Sequence, residues 1–171
     1  IIRPTVSLVR NIAIVFSIYD KNNDAVQLFR HALWWGEIYL SGSKNLYTEF
    51  VLKDMLCVFI DIEICLAECL YSQGFTMDAI NILKMVQTSK IPRPSALYNS
   101  YKLLKEELKL YTQYNIELTK RELENLTKLI EKTSKYDPLY GTHMFMMARL
   151  HHAIGQTASA LHFAKLADFF Y

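Results

Sequence analysis

Residues 68–83 read ECLYSQGFTMDAINIL, and the reading of this stretch decides the fold. An apolar helical pattern runs into Gly74, and a second one resumes around Ala79. A glycine here can wrap a phosphate, turn the chain toward a cofactor, or end one helix so that the next can fold back on it. Phosphate loops need several glycines at fixed offsets, as in G-x-G-x-x-G or G-x-x-x-x-G-K-[ST], so that backbone N–H groups converge on the anion. Neither pattern occurs in the chain. A single glycine just past an apolar period is the ordinary mark of a helix C-terminus. Thr76 is then the expected cap of the next helix.

The rest of the chain reads the same way. Only 5 glycines and 4 prolines interrupt 171 residues, 51% of them hydrophobic, which favours long helices over a many-turned β fold. Eight helices are predicted. The first spans about Thr5 to Tyr19, behind Pro4, and the second runs from Asp24 to about Tyr39, where SGSKN (41–45) breaks it. The third runs from about Asn45 to Ser72, roughly 40 Å at the helical rise. The fourth runs from Thr76 to about Thr88. SKIPRP (89–94) is the clearest interruption, because two prolines exclude regular helix. Ser95 is expected to cap a fifth helix reaching about Tyr111. Thr119 and Glu122 stand at capping-box spacing for a sixth, about Leu118 to Ser134. Pro138 opens a seventh ending near Gly155, and the eighth starts at about Thr157. The short connections predict antiparallel neighbours.

Aligning the chain on itself reveals a repeat. Ala25, Ala79 and Ala160 fall in one column, Ala13, Ala67 and Ala148 in another. Ile12, Leu66 and Met147 share a third, Phe29 joins Leu83, and Ala32 joins Ala167. The turn column holds Asp20, Gly74 and Gly155. Small side chains let two helices approach closely, and the glycine turns the chain between them. The spacing leaves room for one more pair, the fifth and sixth helices, which lacks these markers.

LAECLYSQGFTMDAINIL, MARLHHAIGQTASALHFAKLA and IAIVFSIYDKNNDAVQLFRHA resemble the tetratricopeptide repeat, with its apolar–small pair, Ala-x3-Phe and later small residue. The units are longer than that family's, and Val9, Glu63 and Met144 stand where its early Trp would be. The resemblance implies an all-α fold, with antiparallel helix pairs stacked as a tetratricopeptide-like α-solenoid. The matching stretches cover about half of the chain, and the fold they imply is one segment, 1–171, with pairs at about 5–39, 45–88, 95–134 and 138–171. It also implies that the first helix of each pair lines a concave binding face. Carried over by column, that face holds Ser7, Arg10 and Ser17, then Asp61, Glu68 and Tyr71, then Thr142, Phe145, Arg149 and His152. Arg10, Ile14, Ile64 and Glu68 occupy columns where some family members clamp a peptide carboxylate with Lys and Asn, so a clamp of that kind is not expected. The acidic second unit suits a basic peptide instead.

Other chemistries have less to stand on. Cys57, Cys65 and Cys69 share one predicted helix, and with Asp61 they could offer ligands from one face. No second Cys or His pair has zinc spacing, so reduced core thiols are the reading. His151 and His152 are adjacent and diverge, while His143 and His151 are two turns apart; no H-E-x-x-H or Gly-x-Ser-x-Gly occurs. YKLLKEELKLY and ELTKRELENLTKLIEK carry the mixed charge of a solvated helix face. A net charge of +2 does not point to nucleic acid. The richest apolar run, MLCVFIDIEICLAECL, contains Asp61, Glu63 and Glu68, which argues against a membrane span. Of the consecutive Trp34 and Trp35, one is expected in the core. No catalytic residue, cofactor or metal is expected. IIRPTV and LADFFY read as edges of a longer polypeptide. The expected function is a non-enzymatic scaffold or adaptor that binds a protein or peptide within a larger intracellular complex, cytoplasmic or nuclear. The alternatives are a regulatory arm of a larger enzyme, such as a cell-cycle protease or ubiquitin-ligase assembly, and a bacterial peptide-sensing regulator.

Overall fold

The computed structural model describes residues 2–43, 48–133 and 135–170. Among them are eight α-helices and no strand: α1 (Ile2–Ile18), α2 (Asn22–Ser43), α3 (Glu49–Ser72), α4 (Thr76–Met85), α5 (Ala96–Thr112), α6 (Ile116–Glu131), α7 (Tyr140–Ala153) and α8 (Thr157–Phe170). A 3-10 turn at Thr88–Lys90 follows α4. The chain divides into two compact units, Ile1–Ile91 and Pro92–Tyr171, and the division falls inside SKIPRP.

Three connections are built identically. Asp20, Gly74 and Gly155 all have positive φ, at 57°, 84° and 77°. The N–H of the residue after each donates five positions back, Lys21 to Phe16 O, Phe75 to Leu70 O and Gln156 to His151 O. The N–H of the left-handed residue itself donates three back, to Ser17, Tyr71 and His152 O. These are the two bonds of a Schellman motif, which satisfies carbonyls a helix end leaves open. The same three residues, Lys21, Phe75 and Gln156, then accept through their carbonyls from the N–H of Ala25, Ala79 and Ala160, opening the next helix. Each corner therefore closes one helix and starts another within three residues.

The alanine columns explain why so sharp a corner is possible. Ala13, Ala25, Ala67 and Ala79 are completely buried, and Ala148 and Ala160 nearly so. In the first unit α1 packs on α2, α2 and α1 both pack on α3, and α3 packs on α4. In the second, α5 packs on α6, α5 and α6 both pack on α7, and α7 packs on α8. One close approach lies outside the alanine columns. A Cβ placed on Gly36 of α2 would sit 2.0 Å from the Phe59 ring of α3, so only glycine fits.

The fifth–sixth connection is different. Its Asn115 caps α6, with Oδ1 accepting from Leu118 N at 3.0 Å. Thr119 is thus inside the helix, its hydroxyl donating to Asn115 O at 2.9 Å, and the expected Thr119–Glu122 capping box does not form. Ser95 does cap α5, accepting from Tyr98 N at 3.1 Å. Thr76 is the first residue of α4 rather than its cap; the cap position is Phe75 and makes no side-chain bond. Helix α2 starts before Asp24 and continues through Gly42 instead of ending at Tyr39; Lys44 and Asn45 of the expected break lie outside the described residues, as does Ser134, the expected end of the sixth helix. Helix α4 stops at Met85, short of Thr88, and α7 opens at Tyr140, two residues after Pro138. Trp34 and Trp35 are both half-exposed, at 56% and 55%, so neither is in the core; Trp35 borders a hollow with Val6 and Val9 of α1.

Candidate functional site

Each unit has its own candidate face, built from the first helices of its pairs. In the first unit, the Arg10 guanidinium of α1 forms an ion pair with the Asp61 carboxylate of α3. Burial raises the Asp61 carboxyl, and the charge and hydrogen bond of Arg10 pull it back. Two of the proposed binding residues therefore hold each other across the α1–α3 contact. Ser17 also faces inward: its hydroxyl donates to Asn22 Oδ1 at 3.2 Å. The Cys69 thiol meets the same Asn22 at 3.7 Å, and Gln73 Nε2 donates to Cys69 O at 3.3 Å. Ser17 thus belongs to a small polar network at the first corner. Glu68 and Tyr71 lie farther along α3, both half-buried.

Asp54, Cys57, Asp61, Cys65 and Glu68 recur every three or four residues and so share one face of α3. All are partly buried. Burial first, and neighbouring Asp54 second, raise the Cys57 thiol. Burial first, then Asp61, raise Cys65, and burial raises Cys69. Thiols held protonated are poor nucleophiles and poor ligands. Among the described residues no three His, Cys, Asp or Glu side chains form a group that could hold a metal. On another side of α3, Glu63 is pushed up to about 7 by burial, with help from Glu37.

In the second unit, Phe145, Arg149 and His152 line up along α7 at helical spacing. Arg149 donates to the Glu107 carboxylate of α5, and its guanidinium lies 5.8 Å from the Phe145 ring centroid. Phe145 is half-exposed and His152 exposed. Tyr111, in the last turn of α5, and Tyr114, in the connection after it, are exposed, and the Tyr114 hydroxyl donates to Ala153 O of α7 at 3.4 Å. Column transfer missed Glu107, Tyr111 and Tyr114. Their signal was the i,i+4 step from Glu107 to Tyr111, which reads equally well as a solvated face.

One constellation resembles catalytic machinery only in its residue types. Ser100 Oγ lies 2.8 Å from His143 Nε2, and Asp137 acts electrostatically on the same ring. His143 is fully buried, and that burial lowers it to about 4, against the opposing pull of Asp137 and the Ala96 backbone. A fully buried base this weak is poorly matched to general base catalysis near neutral pH. The contact ties α5 to α7. His151 is likewise packed, with Nδ1 2.6 Å from Gln156 Oε1 and its ring stacked on Phe163 at 5.0 Å. An apolar hollow of about 440 Å³ lies among α6, α7 and α8, lined by Ile130, Met144 and Phe163 among others. No helix of the described residues is long and apolar enough to cross a membrane.

No protein-family model, curated protein or solved structure matches the chain.

Proposed function

We propose that this chain is a tetratricopeptide-like helical-repeat segment whose role is to bind a protein or peptide, as a non-enzymatic scaffold or adaptor inside a larger intracellular complex. The observation that carries the reading is the corner made three times with the same two hydrogen bonds, at Asp20, Gly74 and Gly155. A unit that repeats its backbone this closely is built to stack, and stacking helix pairs present their first helices side by side as a continuous surface. In each unit two first helices are neighbours, α1 with α3 and α5 with α7. The residues on them supply what peptide recognition uses. Phe145, Tyr111 and Tyr114 offer partly exposed rings, and Arg149 and His152 offer donors. Asp54, Asp61 and Glu68 give the α3 face an acidic character, with Arg10 paired to Asp61, which favours a basic peptide.

The reading is tested by titrating the labelled chain with a basic peptide that carries aromatic residues, and with its acidic counterpart. Chemical shifts should move on α1, α3, α5 and α7 for the basic peptide, and Asp61→Asn together with Glu68→Gln should weaken binding several-fold. Equal binding of both peptides, or shifts confined to α2, α4, α6 and α8, would sink it.

A further inference from the structure

Helix α1 carries an apolar stripe that its own unit leaves uncovered. Leu8 is 59% exposed, Ile12 40% and Val15 47%. At these positions the repeat aligns Ile62, Leu66 and Cys69 of α3, and His143, Met147 and Leu150 of α7. All six of those residues are buried, and five of the six almost completely. What covers the stripe in α3 is fixed at both ends by α2. Gly36 lies against the Phe59 ring, and Asn22 meets the Cys69 thiol. The α1 stripe is therefore the surface on which a second helix of a preceding pair packs, repeated once more with nothing from its own unit upon it.

The chain also carries the other half of such a junction. Helix α8 is the second helix of its pair, as α2 is, and shares the buried alanines at Ala160 and Ala167. Yet Val26 of α2 is 7% exposed while its counterpart in α8, Leu161, is 56% exposed. Ala164, the counterpart of the buried Phe29, is exposed too. We infer that the α8 face of one copy docks on the α1 stripe of a second copy, along the columns by which α2 packs on α3 in the first unit, but without its closest approach, since Tyr171 and Thr5 stand in the columns of Gly36 and Phe59. Leu161 and Ala164 of one molecule take the places of Val26 and Phe29 over Leu8, Ile12 and Val15 of the next. The contact is heterologous, because the two surfaces differ, so association continues past a dimer unless a ring closes. It is weak, because Asp168 stands where α2 has Leu33 and Ala164 fills less space than Phe29.

Sedimentation velocity of the 171-residue chain from about 1 µM to about 300 µM tests this directly. The wild type should shift to larger species across that range. Ile12→Glu and Leu161→Glu, each checked for unchanged helicity by circular dichroism, should each abolish the shift. Asp168→Leu, which restores the residue of α2, should tighten association about ten-fold, the size of one added buried leucine. A chain that stays monomeric throughout, Asp168→Leu included, overturns the inference. So does association that survives either glutamate, since it then uses another face. Loss with Ile12→Glu but not with Leu161→Glu would mean that α1 meets something other than α8.

Discussion

The two units solve the same problem with the signs exchanged. In the first, an arginine on the earlier first helix reaches an acid on the later one, Arg10 to Asp61. In the second, the acid comes first and the arginine second, Glu107 to Arg149. The two bridges do not even share repeat columns: Arg10 aligns with Phe145, and Asp61 with Thr142. The comparison teaches that the neighbour relation between first helices is set by backbone corners and small residues, and that the charges settle on it afterwards. A second contrast concerns protons. Glu63 of the first unit is raised to about 7, and His143 of the second is lowered to about 4. Both are neutral groups in the fold at mildly acidic pH, where their unfolded forms charge in opposite directions.

If corners and small residues set the fold, replacing one should outweigh any charge change. Ala79→Trp puts an indole where no atom is accessible and should cost about 3 kcal/mol or more, unfolding the first unit. Tryptophan fluorescence of a Trp34→Phe, Trp35→Phe background with the new indole, together with circular dichroism, reads this out. A melt unchanged from the parent would break the comparison outright. Gly36→Ala is next, because its methyl meets the buried Phe59 ring. The expected loss is about 1–3 kcal/mol, and Phe59→Leu in the same chain should recover part of it. A double-mutant cycle showing no coupling between the two would locate the close approach elsewhere.

The proton contrast predicts opposite pH slopes. Between about pH 4.5 and 7 the folded first unit holds a proton on Glu63 that the unfolded chain has released, so this group's stabilisation falls as pH rises through that window. Between about pH 6.5 and 4 the unfolded chain takes up a proton that buried His143 refuses, so stability falls as pH drops. The effect is about 1 kcal/mol for half-buried Glu63, where solvent screens the charge, and about 1–3 kcal/mol for fully buried His143. Glu63→Gln should flatten the first slope and His143→Gln the second, in melts followed by Trp34 and Trp35 for the first unit and by tyrosine-ring NMR for the second. Identical pH profiles for both variants and the parent would remove the contrast. The smallest effect comes from the corners themselves. Asp20→Gly should stabilise by about 0.5–1 kcal/mol, since glycine accepts a positive φ without steric cost, while Gly74→Ala should destabilise by a similar amount. Urea midpoints that move in the same direction for both would contradict the left-handed geometry at one of them.

The corners were the most legible part of the molecule. Gly74 and Gly155 announced them, and the alanine columns placed Asp20 in register even though aspartate is not a turn signal of the same strength. Gly36 was not legible, because a glycine between Trp35 and Glu37 shows no pattern until α3 brings Phe59 against it. The cap of α6 was read four residues late, because the Thr119 hydroxyl has a better use: it donates to the carbonyl four residues back, leaving Asn115 to cap. The candidate face was only partly readable. Its helices followed from the repeat, but Arg10–Asp61 and Glu107–Arg149 join positions 51 and 42 residues apart, respectively, in the sequence, and no local spacing encodes such a pairing. Of the two tryptophans one was expected in the core, and both are half-exposed, since two adjacent helix positions carry no local sign of which one a neighbouring helix will cover.

Cys57, Cys65 and Cys69 have one more use. All three thiols belong to α3, and residues 92–171 contain none. Burial keeps each of them in the unreactive protonated form. An alkylating reagent at mildly alkaline pH therefore modifies the folded chain slowly and the opened first unit quickly. The mass added per molecule is then a clock for the opening of one half of the protein, and it runs without any introduced label.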